Sequence, residues 1–181
     1  DLSEFTSKRK INYLFVNQSI SAASFKDYSN IRYIEFLAEE GKIPSEAFTN
    51  CSALESIKVN GTVSLIEPYA FSGCSALSML DMQYESIVVG RNVFSGCKHI
   101  HSLVDLTKIT RFGEFAFADT DITNLTLGEN VQFVGKSAFA GCSDIDEVVI
   151  PFVGCMPHST QPELGHFGAI FGTEERDNFN V

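Results

Sequence analysis

The stretch that decides the fold is AFSGCSAL, from Ala70 to Leu77, which places a large aromatic residue and a cysteine among very small residues. A related stretch, VFSGCKHI, runs from Val93 to Ile100, and the two phenylalanines lie 23 residues apart. Recurrence at a period of about 20–50 residues is typical of proteins built from stacked repeats. The first question is therefore whether this unit continues along the rest of the chain.

The unit does continue, because one phenylalanine recurs at spacings of 23, 23, 23, 23 and 22 residues. An apolar residue stands five positions before each of these phenylalanines, and further apolar residues follow six and nine positions after most of them. Such regularity predicts a solenoid of stacked units, each burying its apolar side against its neighbours. The recurring phenylalanines are Phe25, Phe48, Phe71, Phe94, Phe117 and Phe139.

Each unit also contains an alternating apolar pair, such as Ile57 and Val59 around Lys58, and this alternation is typical of a half-buried strand. In the unit of Phe94, Asp105 occupies the second apolar position, so we expect Val104 and Leu106 to point inward there instead. We predict one parallel sheet, in sequence order, from strands near residues 34–36, 57–59, 80–82, 104–106, 125–127 and 148–150, with a further strand near Ile11 to Tyr13.

The opening motif belongs to the segment that returns the chain from one strand to the next. Pro44 and Pro68, just upstream of it, fit the first turn of a short helix or 3₁₀ segment. Gly73 and its equivalents Gly96 and Gly141 supply a permissive backbone that ends this turn. We therefore expect short helical or 3₁₀ return arms, with the alanine allowing close approach and the phenylalanine filling the interior.

Four cysteines share one position of the repeat, and Tyr28 and Thr120 replace them in two other units. A zinc site needs ligands that converge on one point, whereas side chains strung along a stack lie about 4.8 Å apart per strand. The sequence therefore predicts buried, reduced thiols. Cys155 lies beyond the repeats. It can be a thiol that reacts or forms a disulfide, or it can be a buried thiol like the other four. The four repeat cysteines are Cys51, Cys74, Cys97 and Cys142.

The repeat resembles a known family. The segment IEPYAFSGCSALSMLDM, residues 66–82, is similar to the BspA-like branch of the leucine-rich repeats, and the likeness extends over about residues 20–150. The tail from Pro151 to Gly172 resembles a segment that interrupts the repeats in some bacterial members. The resemblance implies an α/β repeat solenoid, a leucine-rich-repeat right-handed superhelix of about six to seven 23-residue repeats. We expect a single domain over 1–181, with a partial repeat at 1–19, regular repeats at 20–150 and an irregular C-terminal segment at 151–181.

The composition argues against several classes of function. With 23 acidic against 13 basic residues the net charge is −10, which repels the phosphate backbone of nucleic acids. The apolar stretches fall far short of the roughly 20 residues of a membrane-spanning helix, so we expect no membrane insertion. The sequence lacks a nucleophile elbow, a phosphate-binding loop and a zinc-protease motif. We therefore expect no enzymatic activity, no cofactor and no metal site.

The family resemblance implies a secreted or cell-surface protein of host-associated microbes that binds or adheres through a protein or glycan ligand, which includes ligands of a host. The alternative is a structural spacer or docking domain of a longer surface protein or secreted enzyme. An exposed aromatic or charged patch on one face would favour a binder, and scattered polar residues a spacer. The sequence leaves the oligomeric state open.

The candidate ligand-binding residues are the side chains between the inward-facing pairs, which point to solvent from one face of the predicted sheet. Their charges alternate along the sheet, so this row can also serve to neutralise itself across strands. The candidates are Glu35, Lys58, Asp81, Asp105 and Thr126, with Asn60 and Gln83 beside them.

Overall fold

The computed structural model describes residues 12–39, 41–101, 103–152, 155 and 167–172. Within these residues the chain forms eleven β-strands and two 3₁₀ helices, and no α-helix. Every strand pair is parallel, and the chain winds through repeated turns that each add a strand to one or two ladders. The predicted repeat solenoid is confirmed.

The first ladder carries the longest strands. It consists of β1 (Tyr13–Val16), β2 (Tyr33–Glu39), β4 (Ser56–Thr62) and β6 (Met79–Gln83), in that spatial order. Ile34 pairs with Ile57, which pairs with Leu80, so the inward residues stack as the alternation predicts. Irregular pairing after Phe36 and after Lys58 ends the regular part of the ladder.

The first strand lies slightly later in the chain than the sequence predicts. Leu14 pairs with Ile34 and Val16 with Phe36, so these two residues face the core and Tyr13 faces outward. Ile11, the other end of the predicted strand, lies outside the described residues. The reason for the shift is that the first turn spans 20 residues from Leu14 to Ile34, whereas the following turns span 23.

A second ladder runs alongside the first and was not predicted. It consists of β3 (Lys42–Ile43), β5 (Leu65–Ile66), β7 (Ile87–Val89), β8 (Ile109–Phe112) and β10 (Phe133–Val134). Its buried members include the apolar residues found five positions before the recurring phenylalanines, such as Ile66 and Val89. Strands of two to four residues are too short to show an extended alternating pattern, so the sequence indicated only one inward position in each.

The prediction of one continuous sheet is wrong at residues 104–106. Val104 is buried and Leu106 is partly buried, but Leu106–Lys108 forms a 3₁₀ helix instead of a strand. Asp105 caps this helix by accepting a hydrogen bond from the Thr107 N–H, and its own N–H bonds to the Tyr84 hydroxyl. Because these local bonds replace strand pairing, β9 (Asn124–Thr126) and β11 (Glu147–Val149) form a separate two-stranded sheet.

The return arms are turns. Along each arm, backbone N–H groups donate alternately to a carbonyl of the same arm and to a carbonyl of the next arm. Cys51 N–H bonds to Phe48 O three residues earlier, as in a 3₁₀ helix. In the arms of the first five recurring phenylalanines, the N–H groups of the phenylalanine and of the residues two before and two after it donate instead to the next arm. For Phe25 the acceptors of these three bonds are the carbonyls of Ser45, Ala47 and Thr49, at 2.8 to 2.9 Å.

This alternation requires left-handed backbone on both sides of each phenylalanine. The residues two before and two after have positive φ in all six units. At the second of these positions Asn50 is followed, one unit later, by Gly73, where a Cβ atom would lie 2.8 Å from the Asn50 side-chain oxygen. The predicted helices are therefore replaced by turns, because a helix would keep these N–H groups within its own arm. The positive-φ residues are Ala23, Asp27, Glu46, Asn50, Tyr69, Gly73, Asn92, Gly96, Phe115, Asp119, Ser137 and Gly141.

The core contains a continuous stack of the recurring phenylalanines. Successive ring centroids lie 5.2 to 5.7 Å apart from Phe25 to Phe139, and all six side chains are buried. The cysteines form a parallel row beside it, in which each thiol bonds to the phenylalanine carbonyl of the preceding unit. The Cys51 Sγ lies 2.9 Å from Phe25 O, and burial raises the pKa of this thiol to about 12.

The accessibility of one cysteine, Cys142, differs from the prediction. The described cysteines form no disulfide, and Cys51, Cys74 and Cys97 are buried. Cys142 is only half-buried, although its thiol bonds to Phe117 O at 3.0 Å. Cys155 is fully buried, and its carbonyl accepts the Val134 N–H. Cys142 lies in the last regular unit of the repeat.

That last arm comes from the C-terminal segment expected to be irregular. The 3₁₀ helix Phe167–Phe171 accepts hydrogen bonds from the Ser137 and Phe139 N–H groups through Ala169 O and Ile170 O. Its Phe171 ring lies 6.4 Å from Phe139, so the aromatic stack gains a seventh member. The segment therefore completes one more return arm, 32 residues after Phe139 instead of 23.

Candidate binding surface on the first strand ladder

The outward side chains of β1, β2, β4 and β6 form one surface, which we call the strand face. Strand pairing sets them in transverse rows, because parallel strands in register place equivalent residues side by side. The first row contains Tyr13, Tyr33, Ser56 and Met79, and the second contains Phe15, Glu35, Lys58 and Asp81.

Large apolar side chains are unusually exposed on this face. The exposed fraction is 61% for Phe15, 57% for Met79, 50% for Tyr13 and 48% for Leu37. These four account for most of the strongly exposed large hydrophobic residues in the described chain. Exposed apolar groups clustered on one surface of a soluble protein indicate an interaction site.

The aromatic rings of this face hold one another in place. The Tyr13 ring stacks on Tyr33 with centroids 5.8 Å apart, and it contacts Phe15 at 4.8 Å. The Tyr33 hydroxyl donates to Glu55 Oε2 at 2.8 Å, and the Arg32 Nε donates to Oε1 of the same carboxylate at 2.8 Å. The Arg32 guanidinium also lies 5.5 Å from the Tyr33 ring centroid. The rings are therefore fixed before any partner arrives.

An ion pair lies beside the rings. The Lys58 Nζ lies 2.9 Å from Glu35 Oε1, and the Tyr13 hydroxyl donates to the other oxygen of this carboxylate at 3.2 Å. The hydrogen bond from Lys58 holds the pKa of Glu35 below its ordinary value, and the same bond raises the pKa of Lys58. Both groups are therefore charged at neutral pH, and Asp81 lies next to Lys58 on the adjoining strand.

The structure brings together most of the residues predicted from the sequence. Glu35, Lys58 and Asp81 share one row, and Asn60 and Gln83 lie on the same ladder. The Asn60 side chain donates to Leu37 O at 3.4 Å.

Asp105 and Thr126 do not belong to this row, which corrects the prediction. Asp105 caps the 3₁₀ helix at Leu106–Lys108, and Thr126 lies in the separate sheet, paired with Val149. The break in the ladder at residues 104–106 therefore divides the predicted surface.

The exposed aromatic residues and Met79 are not found by the sequence analysis. The strand predicted near Ile11 to Tyr13 starts too early to show Tyr13 as outward, and Met79 precedes the alternating pair that defines its strand. The signal that could have found them is the extension of the alternation: Tyr13, Tyr33 and Met79 each stand one position before an inward residue.

The described residues offer no evident reactive centre. They contain no cluster of three or more histidine, cysteine or carboxylate side chains that could hold a metal ion. His101 Nδ1 lies 2.7 Å from Asp121 Oδ2, and the other oxygen of this carboxylate accepts the Ile100 N–H, so this carboxylate links two units. In the part of the chain that the structure describes, no helix has the length and apolar character needed to cross a membrane.

Comparison with known families decides which repeat this is. The model of the BspA type leucine rich repeat region matches six copies over residues 18–146. The chain belongs to this family. Membership of this family indicates a repeat module for protein interaction. A comparison with curated proteins finds no match.

Two solved structures of similar chains share the fold. A leucine rich repeat protein of Treponema pallidum has a TM-score of 0.65 at 23% identity, over 78% of this chain and 70% of that one. A leucine rich cell surface protein of Faecalibacterium prausnitzii has a TM-score of 0.57 at 18% identity, over 77% and 47%. A leucine-rich repeat protein of Bacteroides ovatus has a TM-score of 0.45 at 26% identity, over 76% and 34%.

Proposed function

We propose that this chain is a non-enzymatic binding module of a secreted or cell-surface protein and that its strand face takes a protein partner. The observation that carries the proposal is the cluster of Tyr13, Phe15 and Met79 around the Glu35–Lys58 ion pair. Interfaces between proteins concentrate their binding free energy in a few aromatic and large apolar residues. The strand face supplies such residues on its two outer strands, with the ion pair between them.

Rigidity also favours binding at this face. In this ladder β2 and β4 are paired on both sides and β1 and β6 on one side, and the rings and charges of the face are held by the contacts described above. A partner therefore does not have to order this surface, and less conformational entropy is lost on association. The extended shape of the face suits an elongated ligand.

The cell-surface setting is supported by similarity, and an adhesive role is part of the proposal. The Faecalibacterium protein of the same fold is described as a cell surface protein. A glycan is the alternative ligand, because aromatic rings beside carboxylate and amide groups also bind sugars. The competing function is a passive spacer, which is favoured by the neighbouring opposite charges of Glu35, Lys58 and Asp81.

A charge-swap experiment separates a binder from a spacer. A ligand is first found by screening the purified chain against arrays of host proteins and glycans, and its Kd is then measured for Lys58→Glu combined with Asp81→Lys. The double substitution leaves the net charge unchanged but inverts the central charges of the strand face. We expect at least a tenfold weaker Kd, about 1.4 kcal/mol, with little change in the melting temperature because the Lys58 side chain is 49% exposed.

The matched control is Lys42→Glu combined with Glu67→Lys. Lys42 and Glu67 form an equivalent ion pair at 2.6 Å, but Lys42 lies on the second ladder. This swap should leave the Kd unchanged. If both swaps weaken binding equally, or if the strand-face swap binds like the wild type, the ligand does not bind at the strand face and the spacer function is favoured.

A further inference from the structure

A groove runs along the edge of β1 that faces away from β2. It has a volume of about 570 Å³, and its described lining residues come from β1 and from the segment that leads to Phe25, with none from β2. Leu14, Val16 and Phe25 form the apolar floor, and all three belong to the hydrophobic core or pack against it. The groove therefore presents an apolar surface at the first turn of the solenoid.

The rim of the groove is polar but uncharged. It includes Asn17, Gln18, Ser19 and Ser21. Among the described residues that line the groove, no side chain carries a charge. Amide and hydroxyl groups can bond to a peptide backbone, whereas a charged ligand group would lose water here without meeting an opposite charge. The groove therefore suits an apolar side chain carried by a peptide.

The groove is continuous with the strand face, because Phe15 belongs to both. Phe15 lines the groove, and its side chain is 61% exposed on the strand face. It begins the row that continues with Glu35, Lys58 and Asp81. At about 4.8 Å per strand, Asp81 lies about 14 Å from Phe15 across the ladder. A ligand that crosses the strand face along this row therefore reaches the groove directly.

The same row carries an excess of negative charge. Its two carboxylates, Glu35 and Asp81, lie on either side of one ammonium group, and the Lys58 Nζ bonds to Glu35 at 2.9 Å. Asp81 is exposed and lies on the strand farthest from the groove. The chain as a whole also has a net charge of −10. The Asp81 end of the row therefore attracts a cationic group of a ligand.

We propose that the protein partner of this module presents a linear motif in which a large apolar side chain and a lysine or arginine lie about six residues apart. The apolar side chain enters the groove beside Phe25, where an aromatic ring extends the phenylalanine stack, and the cation binds Asp81. With the groove counted as one strand position beyond β1, the two subsites lie about 19 Å apart, which an extended peptide covers at roughly 3.3 Å per residue. The motif rests on the function proposed above, because it requires binding at the strand face.

Peptide selection on the full chain tests the motif. Random peptides displayed on phage are selected on the immobilised wild type and, in parallel, on Asp81→Lys. Peptides that bind the wild type should share an aromatic residue and a lysine or arginine about six positions apart. On Asp81→Lys the basic position should change to aspartate or glutamate, while the aromatic position persists. Peptides without this pair, a basic position unchanged on the variant, or the failure to select any peptide would each overturn the proposal.

Fluorescence shows where the apolar side chain of a selected peptide binds. The chain contains no tryptophan, so a tryptophan placed at the aromatic position of the peptide reports on the peptide alone. Binding to the wild type should shift its emission to shorter wavelength, because the ring leaves water for the groove. Ser19→Phe places a ring in the groove from an exposed position and should weaken the Kd about tenfold or more. The matched control is Ser143→Phe, an exposed serine in the last regular unit, which should bind like the wild type.

The same peptide separates the motif from the proposed function. If Lys58→Glu combined with Asp81→Lys weakens its binding but Ser19→Phe does not, the strand face binds without the groove and only the motif fails. If Ser19→Phe alone weakens it, the cation subsite is wrong and the motif is overturned. If neither weakens it, binding at the strand face fails as well. An emission that does not shift on binding to the wild type also overturns the motif, because it assigns the groove to another part of the chain or to a second copy.

Discussion

Replacing Phe71 by alanine tests the physical basis of the solenoid. Phe71 is fully buried at the middle of the stack, with ring centroids 5.2 Å from Phe48 and 5.6 Å from Phe94. Truncation of a buried phenylalanine to alanine costs about 3–5 kcal/mol of unfolding free energy. Because two aromatic contacts are lost, each contributing about 0.5–1.5 kcal/mol within that total, we expect about 4 kcal/mol.

The measurement is urea unfolding followed by circular dichroism, with the free energy of unfolding compared between variants. Phe71→Leu keeps most of the buried apolar volume and should cost only about 1–2 kcal/mol. Phe15→Ala, at an exposed site, should cost about 0.5 kcal/mol or less. The slope of the unfolding free energy against urea concentration must be the same in all variants. A changed slope would indicate that the repeats no longer unfold together. The expected difference in unfolding free energy between Phe71→Ala and Phe15→Ala is roughly 4 kcal/mol. A difference of less than about 1 kcal/mol between the two variants would refute the stacked-core account.

Two further predictions concern protonation and thiol access. Glu35 has a lowered pKa in the fold, so its ionised form stabilises the protein above its ordinary pKa of 4.5, and this stabilisation is lost as the pH falls below it. Lys58→Met should therefore make the urea midpoint less sensitive to pH between about 4.5 and 3, whereas an unchanged acid profile would show that the ion pair does not control this pKa. Thiol labelling of the native chain should modify the half-buried Cys142 first and leave Cys51 and Cys155 unreacted, because both are buried. Rapid labelling of Cys155 would contradict the structure.

The repeat could be predicted from the sequence because its signals are long-range and redundant. The phenylalanine spacing gave the unit length and the parallel stacking of the units, and the alternation around Lys58 gave the strand and its outward face. The row of Glu35, Lys58 and Asp81 followed from that register and lies where it was expected.

The remaining features depend on local geometry that the repeat pattern does not encode. Asp105 can occupy a strand or cap a helix, and only the bonds from Thr107 and to Tyr84 show which state forms. The left-handed residues of the arms include Phe115 and Tyr69, which have little intrinsic preference for that conformation, so the hydrogen bonds between arms must impose it. The seventh arm escaped prediction because an insertion displaces Phe171 from the repeat spacing.

The exposed side chains of Phe15 and Met79 on the strand face provide the most direct test of the proposed function. The measurement is the Kd of the identified ligand for Phe15→Ser combined with Met79→Ser. We expect at least a tenfold weaker Kd, about 1.4 kcal/mol, with the free energy of unfolding within about 1 kcal/mol of the wild type. The control is Arg111→Ser, at an exposed site on the second ladder, which should bind normally. A wild-type Kd in the double variant would contradict binding at the strand face.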